Sequence, residues 1–275
     1  MWVGVGCVGL GAAELDGLDE SVNWTVENPV DQNFSEAPQR TVTRSSPQAK
    51  GYRSIHQIQQ EQYDALELTT EAEFDAFAGR EPLAPLRAAK EAGALRKRVV
   101  GWHPYWMGTS YQNYDYSKLD TLAYFSYEVN PTNGSYITLR SWDTTPAIAW
   151  AQSRGTKVVL TVTLFGSANV QTLLTNSSST ANLINSLVNV VSNRNGDGVN
   201  IDFESVGGAS QIYLTAFMSN LTERFHRDIP GSEVSIALPA VDWGNAFDVA
   251  AYDEFLDYAL IMGYDYHWKT SEDAG

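Results

Sequence analysis

The chain has 275 residues, 43% of them hydrophobic and 12% aromatic, which is enough apolar surface for a packed core and excludes a wholly disordered protein. Its 33 acidic and 18 basic residues give a net charge of −15, which repels phosphate backbones, so nucleic acid is not expected as a partner. The single cysteine, Cys7, excludes an internal disulfide, and the four histidines lack metal-ligand spacing. We therefore expect no metal and no other cofactor.

The first 13 residues are apolar and rich in small side chains, and they end in Gly-Ala-Ala before Glu14. They are too short to span a bilayer and resemble part of a secretory signal peptide, although no Lys or Arg precedes the apolar run. We therefore expect a protein that is secreted or held in the cell envelope, without a membrane span. The alternative is an ordinary apolar N-terminus.

Residues 14–97 are acidic with long polar runs, and residues 14–53 within them are rich in Ser, Pro, Gln, Glu and Asn, with few aliphatic side chains. Such a composition does not offset the entropy of ordering, so we expect a largely disordered or partly helical spacer. Two stretches, 54–78 and 83–98, have partly helical apolar spacing. They either pack on the following domain or form a stalk.

From Arg98 onward, short apolar runs alternate with longer amphipathic segments. The six runs are 98–106, 119–129, 156–166, 197–204, 232–241 and 255–266. Helical candidates lie between them at 145–153, 170–191, 209–227 and 245–254. This alternation indicates repeated βαβ units and a parallel sheet, either an open doubly wound sheet or a (β/α) barrel.

Polar and aromatic side chains at the ends of the runs favour the barrel, because the carboxyl ends of the strands form the ligand-binding face of a TIM barrel. No glycine-rich phosphate loop follows any run, so a nucleotide-binding fold has little support. We predict an α/β fold, a (β/α)8 TIM barrel over residues 98–275 with about six of its eight β/α units present. The barrel is then expected to be truncated at its C-terminal side, with unpaired edges on its first and sixth strands.

The fourth run, 197–204, carries the strongest chemical signal. Strand side chains alternate between faces, so Asn200, Asp202 and Glu204 point to one side of the sheet. Two carboxylates about 6.6 Å apart by backbone rise are costly inside a closed sheet, and folding does not require them. A proton held on Glu204 by the Asp202 charge would provide a general acid. The alternative is a set of buried hydrogen bonds or ion ligands, although an oxygen-ligand metal site usually needs more converging carboxylates.

This run resembles the fourth-strand signature of glycoside hydrolase family 18, the chitinase-like TIM barrels, Asp-x-x-Asp-x-Asp-x-Glu. Asp197, Asp202 and Glu204 match it, and Asn200 replaces the second Asp, as in the spore-cortex and peptidoglycan-associated branch. The segment 262–265, Met-Gly-Tyr-Asp, resembles the family's Met-x-Tyr-Asp on strand six. The resemblance covers about residues 98–268. One departure is Thr-Leu-Phe-Gly at 163–166, where the family usually has Ser-x-Gly-Gly.

The resemblance implies three catalytic residues. Glu204 would protonate the glycosidic oxygen, Asp202 would orient the substrate's N-acetyl group and stabilise its developing charge, and Tyr264 would donate a hydrogen bond to that group. The acetamido oxygen of the substrate would itself attack the anomeric carbon. The residues that we expect to contact the sugar are Asn200, Asp197, Asp265, Trp106, Trp243, Tyr105, Tyr127 and Trp268.

The sequence therefore predicts a monomeric, retaining hydrolase of β-1,4-linked N-acetylglucosamine polymers, with chitin and peptidoglycan both left open as substrates. One alternative is a carbohydrate-binding lectin on the same fold, although the acid Glu204 is retained. Another is a cell-wall-binding protein in which the acidic N-terminal segment does the work.

Overall fold

A computed structural model of the protein describes residues 2–4, 7–8, 53–81 and 97–264. Its strands in chain order are β1 (Trp2–Gly4), β2 (Cys7–Val8), β3 (Val100–Pro104), β4 (Thr121–Val129), β5 (Tyr136–Thr138), β6 (Lys157–Phe165), β7 (Gly198–Glu204), β8 (Glu233–Pro239) and β9 (Tyr258–Met262). Its α-helices are α1 (Ile55–Asp64), α2 (Glu71–Phe77), α3 (Ala147–Gln152), α4 (Ser167–Leu174), α5 (Ser177–Ser192), α6 (Gln211–Asp228) and α7 (Val249–Tyr252). Short 3₁₀ segments occupy Tyr105–Asn113, Tyr116–Lys118 and Gly208–Ser210.

The core of the fold is a curved sheet of six parallel strands in the order β3-β4-β6-β7-β8-β9. Each strand coincides with one predicted run, and the strands form a half-barrel that is consistent with part of a TIM barrel. Helices α5 and α6 cover the outer face with leucines that are fully buried, among them Leu187 and Leu221. The prediction of an α/β fold with about six β/α units is thus confirmed.

The strands β7 and β8 approach each other closely where β7 begins. Gly198 has a φ of +145°, and a Cβ atom at this position would lie 1.9 Å from the carbonyl oxygen of Glu233. Only glycine accommodates both the dihedral angle and the contact. This glycine therefore allows β7 to enter the sheet directly after Asp197.

Two elements differ from the sequence-based expectation. The single helix predicted over 170–191 is two helices, because Asn176 caps α5 by accepting hydrogen bonds from the backbone N–H groups of Ser178 and Ser179. The chain after β4 also turns back to form β5, which pairs antiparallel with β4 and has no counterpart among the predicted runs. Both differences concern short polar segments, where apolar periodicity is weak.

The edges of the parallel sheet, predicted to be unpaired, each carry a short partner. Strand β1 pairs antiparallel with β3, and β2 pairs antiparallel with β9. The expectation of two bare edges is therefore wrong, because the backbone of the apolar N-terminal residues supplies the missing hydrogen bonds.

The segment 53–81 packs on the barrel and is not a stalk. Thr70 caps α2 in a capping box: its side chain accepts from the backbone N–H of Glu73, and the Glu73 side chain accepts from the backbone N–H of Thr70. Phe74 of this helix is only 3% exposed and packs against Tyr105, with ring centroids 5.5 Å apart. Across the described ranges, no helix is both long enough and apolar enough to cross a membrane.

Candidate active site

The paired carboxylates of β7 lie on the inner face of the sheet, as the alternation of the strand requires. Asn200, Asp202 and Glu204 are 0%, 2% and 7% exposed, so the series rises from the sheet interior towards its carboxyl edge. Phe203 points to the other face and stacks on Phe217 of α6. Strand geometry alone thus separates the chemical face from the packing face.

A cavity of about 320 Å³ opens at the carboxyl edge of the strands, beside these carboxylates. Most of its wall is apolar, and Asp202, Tyr264 and His56 bring polar groups to it. The complete lining is His56, Gln59, Trp102, Pro104, Trp106, Phe125, Asp202, Ala237, Leu260, Ile261, Met262, Gly263 and Tyr264. A mostly apolar cleft with a few converging polar groups is the usual form of a small-ligand site.

His56 is the site residue that the sequence analysis did not identify. It lies on α1, outside the barrel, and its Nδ1 is 2.9 Å from Oε1 of Glu204 and 3.4 Å from Oδ2 of Asp202. Its Nε2 is 2.9 Å from the hydroxyl of Tyr264. The imidazole therefore bridges all three residues that were predicted to be catalytic.

The electrostatics of this cluster follow from burial and from the close negative charges. Burial raises the pKa of Glu204, and the neighbouring Asp202 charge raises it further, while the hydrogen bond from His56 acts in the opposite direction. Burial by itself lowers the pKa of His56, but the hydrogen bonds and charges of Asp202 and Glu204 outweigh it and raise that pKa to about 10. The imidazole is therefore a cation at neutral pH and forms an ion pair with the carboxylates.

The same three residues, His56, Asp202 and Glu204, offer ligand atoms within 4.8 Å of one another and form the one potential metal cluster in the described part of the chain. The 2.9 Å separation of imidazole and carboxylate is that of a charge-assisted hydrogen bond, which explains the arrangement without an ion. Asp202 Oδ1 has no hydrogen-bond partner among the described residues. This oxygen is thus a buried acceptor whose hydrogen-bonding capacity the described residues leave unused.

Of the aromatic residues predicted to contact the sugar, some line the cavity and others do not. Trp106 lines the cavity, but the ring of Tyr63 from α1 stacks on it at 4.8 Å and 6°. Tyr105 is buried, donates a hydrogen bond of 2.7 Å to Asp64, and does not line the cavity. Trp243 lies in the turn after β8, half-buried and outside the cavity wall.

Besides Tyr105 and Trp243, three further predicted contacts do not line the cavity. The register of β4 against β6 shifts between Phe125 and Tyr127, so Phe125 lines the cavity while Tyr127 points away. The hydroxyl of Tyr127 donates a hydrogen bond to the carbonyl oxygen of Gly134 and is also hydrogen-bonded to the hydroxyl of Ser186. Simple alternation would have placed both on one face, and the irregularity reverses the second.

The other two contacts belong to β7 and to the residue before it. Asn200 is fully buried, and its Oδ1 accepts a hydrogen bond from Ser235. Asp197 lies at the opposite end of the strand, where its Oδ2 accepts from the backbone N–H of Val158 and from Gln152. These residues support the sheet, whereas the two remaining predicted contacts, Asp265 and Trp268, lie outside the described residues.

An α/β half-barrel with a buried carboxylate pair at the carboxyl edge of its strands has the architecture of a TIM-barrel active site. The family model for glycosyl hydrolases family 18 matches residues 98–275, and the chain belongs to that family. The resemblance stated from the motifs is confirmed.

Individual relatives agree with this membership. The chain is 33% identical over 113 residues to YdhD of Bacillus subtilis, a protein assigned as a sporulation-specific glycosylase, with 39% of this chain and 26% of the relative covered. It is 27% identical over 165 residues to the di-N-acetylchitobiase of Homo sapiens, with 57% and 37% covered. The chain thus spans only about a quarter to two fifths of the length of these curated relatives.

Among solved structures, that of YdhD superposes with a TM-score of 0.51 at 28% identity, over 56% of this chain and 53% of that one. The C-terminal domain of a protein from Desulfitobacterium hafniense, assigned as a chitinase, gives a TM-score of 0.57 at 23% identity, over 64% and 57%. The class V chitinase of Nicotiana tobaccum gives 0.55 at 16% identity, over 61% and 52%. The last two likenesses concern the fold alone.

Proposed function

We propose that the protein is a retaining glycoside hydrolase that cleaves β-1,4-linked polymers containing N-acetylglucosamine. The observation that carries the proposal is the buried pair of carboxylates, Asp202 and Glu204, of which Asp202 lines an apolar cavity together with Tyr264. Burying two carboxylates side by side costs stability, so such a pair is characteristic of a site whose chemistry needs a perturbed acid.

In the proposed mechanism, the carbonyl oxygen of the substrate's 2-acetamido group attacks the anomeric carbon. Glu204 donates its proton to the glycosidic oxygen as that bond breaks, and the leaving sugar departs as a neutral alcohol. Asp202 holds the acetamido N–H and stabilises the positive charge of the oxazolinium ion, while Tyr264 donates a hydrogen bond to the acetamido group. The ionised Glu204 then accepts a proton from a water molecule that opens the ring, which restores the acid and retains the anomeric configuration.

The raised pKa of Glu204 supports its role as the acid, because a carboxyl group must hold its proton near neutral pH to donate it. Asp202 is suited to the second role since its Oδ1 is buried yet unpartnered among the described residues. The retained acid also argues against the lectin alternative.

The polymer that serves as the substrate is also part of the proposal. The names of relatives include a chitobiase and a glycosylase associated with sporulation, which suggests chitooligosaccharides and peptidoglycan glycan strands as the substrates to test first. Export to the cell envelope or medium, where both polymers occur, is part of the same proposal.

The test is incubation of the purified protein with chitooligosaccharides and with peptidoglycan, with products identified by mass spectrometry. Glu204→Gln keeps the shape of the side chain but removes the acid, and we expect a loss of at least about 100-fold in kcat, the range of general-acid contributions. Glu254→Gln is the matched control, because it is the same substitution at an exposed residue beyond α7. Equal product from wild type and Glu204→Gln would refute the assignment of the acid.

A further inference from the structure

Helix α1 lies across the mouth of the cavity, although it precedes the barrel in sequence. His56 and Gln59 of this helix form part of the cavity wall. The contact between His56 and Glu204 joins residues 148 positions apart, and the contact with Tyr264 joins residues 208 apart. The segment before the barrel thus reaches its chemical centre.

The contacts of α1 coincide with those that the proposed mechanism assigns to the substrate. His56 Nδ1 takes the position of a hydrogen-bonding partner of Glu204, and Nε2 takes the partner position of the Tyr264 hydroxyl, both at 2.9 Å. Tyr63 covers the face of Trp106 in a parallel stack, as a sugar ring would. A substrate cannot use these groups while α1 is in place.

The docked helix also opposes the chemistry electrostatically. Hydrogen bonding and the positive charge of His56 favour the ionised form of Glu204, against the effects of burial and Asp202. The pKa of Glu204 stays raised overall, and loss of the His56 contact would raise it further. The contact therefore disfavours the catalytic protonation state as well as the bound substrate.

The two helices of the segment are attached with different strength. Helix α2 buries Phe74, and its Asp75 accepts hydrogen bonds from Arg80 and from the backbone and hydroxyl of Thr109. Helix α1 contains no buried residue. Displacing α1 alone would expose the stacked faces of Tyr63 and Trp106 but no fully buried side chain of the helix, so it costs less than displacing α2, which would remain packed.

Hydrogen bonds and ion pairs at the two ends of α1 hold the helix on the barrel. At its C-terminal end, Asp64 accepts from the hydroxyl of Tyr105 at 2.7 Å and pairs with Arg140 at 2.5 Å, while the guanidinium of Arg140 also bonds Glu128 and lies over the Tyr105 ring. At its N-terminal end the attachments are the His56 bridge and the N-cap residue Ser54, which is buried and whose side chain also hydrogen-bonds Glu204. At both ends the contacts are polar, so water and substrate can replace them.

We propose that α1 is an intramolecular inhibitor of the active site, in which His56 occupies the partner positions of Glu204 and Tyr264 and Tyr63 covers Trp106. The inference rests on the proposed function. It implies that α1 is docked in most molecules and that the active site is free in only a minority of them. Because the apparent affinity for substrate falls by the fraction of molecules that are open, a helix docked in 90–99% of molecules weakens apparent substrate binding about 10- to 100-fold.

The test compares His56→Ala and Tyr63→Ala with wild type in kcat/KM for a chitooligosaccharide. We expect each variant to raise kcat/KM by about 10-fold or more, mainly through a lower KM. His226→Ala and Tyr213→Ala are the matched controls, since these residues are exposed and lie on α6, away from the cavity. Unchanged or reduced kcat/KM in both test variants, with full loss in Glu204→Gln, would overturn the inhibitor and leave the proposed function standing.

A binding measurement covers the case in which turnover is too slow to follow. Calorimetric titration of Glu204→Gln and of the double variant Tyr63→Ala/Glu204→Gln with chitotetraose is expected to give a Kd at least about 10-fold lower for the double variant. Equal Kd values reject the inhibitor. Absence of binding to either, together with product formation that survives Glu204→Gln, rejects the proposed function instead.

The docked state has its own signature that needs no substrate. NMR titration of the His56 imidazole is expected to give a pKa of about 10 in the free protein. In Asp202→Asn/Glu204→Gln, whose side chains are neutral, burial is no longer opposed and the pKa is expected at or below the ordinary value. An ordinary pKa in the free wild-type protein would refute docking of α1.

Discussion

Asp197 allows a direct test of whether a motif residue acts on substrate or on the fold. It begins the signature segment on β7, but its Oδ2 accepts hydrogen bonds of 2.7 Å from the backbone N–H of Val158 and 2.9 Å from Gln152, at the end of the strand remote from the cavity. Its own backbone pairs with Val158 and Glu233, so it fastens β7 between its two neighbours. We therefore expect Asp197→Ala to reduce stability without changing substrate binding.

The magnitude follows from what the substitution leaves behind. The N–H of Val158 belongs to a residue that is fully buried and would lose its acceptor, which costs about 1–3 kcal/mol, whereas the amide of Gln152 is partly exposed and can turn to water. The substitution also removes a charge-assisted hydrogen bond, so the free energy of unfolding should fall by about 2–4 kcal/mol in total. In a domain of this size that corresponds to a Tm lower by about 5–15 °C.

The assay is urea unfolding followed by circular dichroism, together with KM for a chitooligosaccharide. Asp197→Asn, which keeps one acceptor oxygen, is expected to lose about half as much stability as the alanine variant. Asp228→Ala is the control, because exposed ion pairs such as those of Asp228 with Arg224 and Arg227 contribute little. A KM raised several-fold with an unchanged unfolding midpoint would show that Asp197 acts on substrate.

Two further predictions concern charges inside the barrel. Glu233 is buried, 6% exposed, and accepts hydrogen bonds from Arg98, Lys157, Thr121 and Tyr258. Glu233→Ala should lower the free energy of unfolding by about 1–3 kcal/mol, a limited cost because the side chains of Arg98 and Lys157 both reach solvent. An unchanged urea unfolding curve would contradict this prediction. Asp202 raises the pKa of Glu204. In the proposed mechanism Glu204 must be protonated, so activity is expected below that pKa and is expected to be lost above it. Asp202→Asn should therefore move the alkaline limb of the kcat/KM profile to lower pH, and a limb that stays or moves upward would refute the coupling.

Local sequence was sufficient for the strands and for the central carboxylates. The alternation of β7 places Asp202 and Glu204 on one face because the period of a strand is fixed by the backbone, whatever the rest of the chain does. The six apolar runs likewise coincide with the six parallel strands, because strands buried on both faces need continuous apolar sequence.

The same rule failed where pairing is irregular. Tyr127 follows Phe125 by two residues, and alternation assigns both to the cavity. The register shift between them in the pairing of β4 with β6 turns Tyr127 towards Ser186 instead. A bulge depends on the neighbouring strand, so it cannot be inferred from the periodicity of one segment.

The sequence by itself determined the barrel strands, the acid pair and the family to which they belong. Only the tertiary structure decided what lies beside Glu204, because His56 and Glu204 are 148 residues apart and meet through a long-range contact, not through any local pattern. A composition poor in aliphatic residues predicts weak burial, and α1 is indeed without a buried side chain. Its attachment by an ion pair to the carboxylates of Asp202 and Glu204 is a long-range contact that no property of the segment alone could reveal.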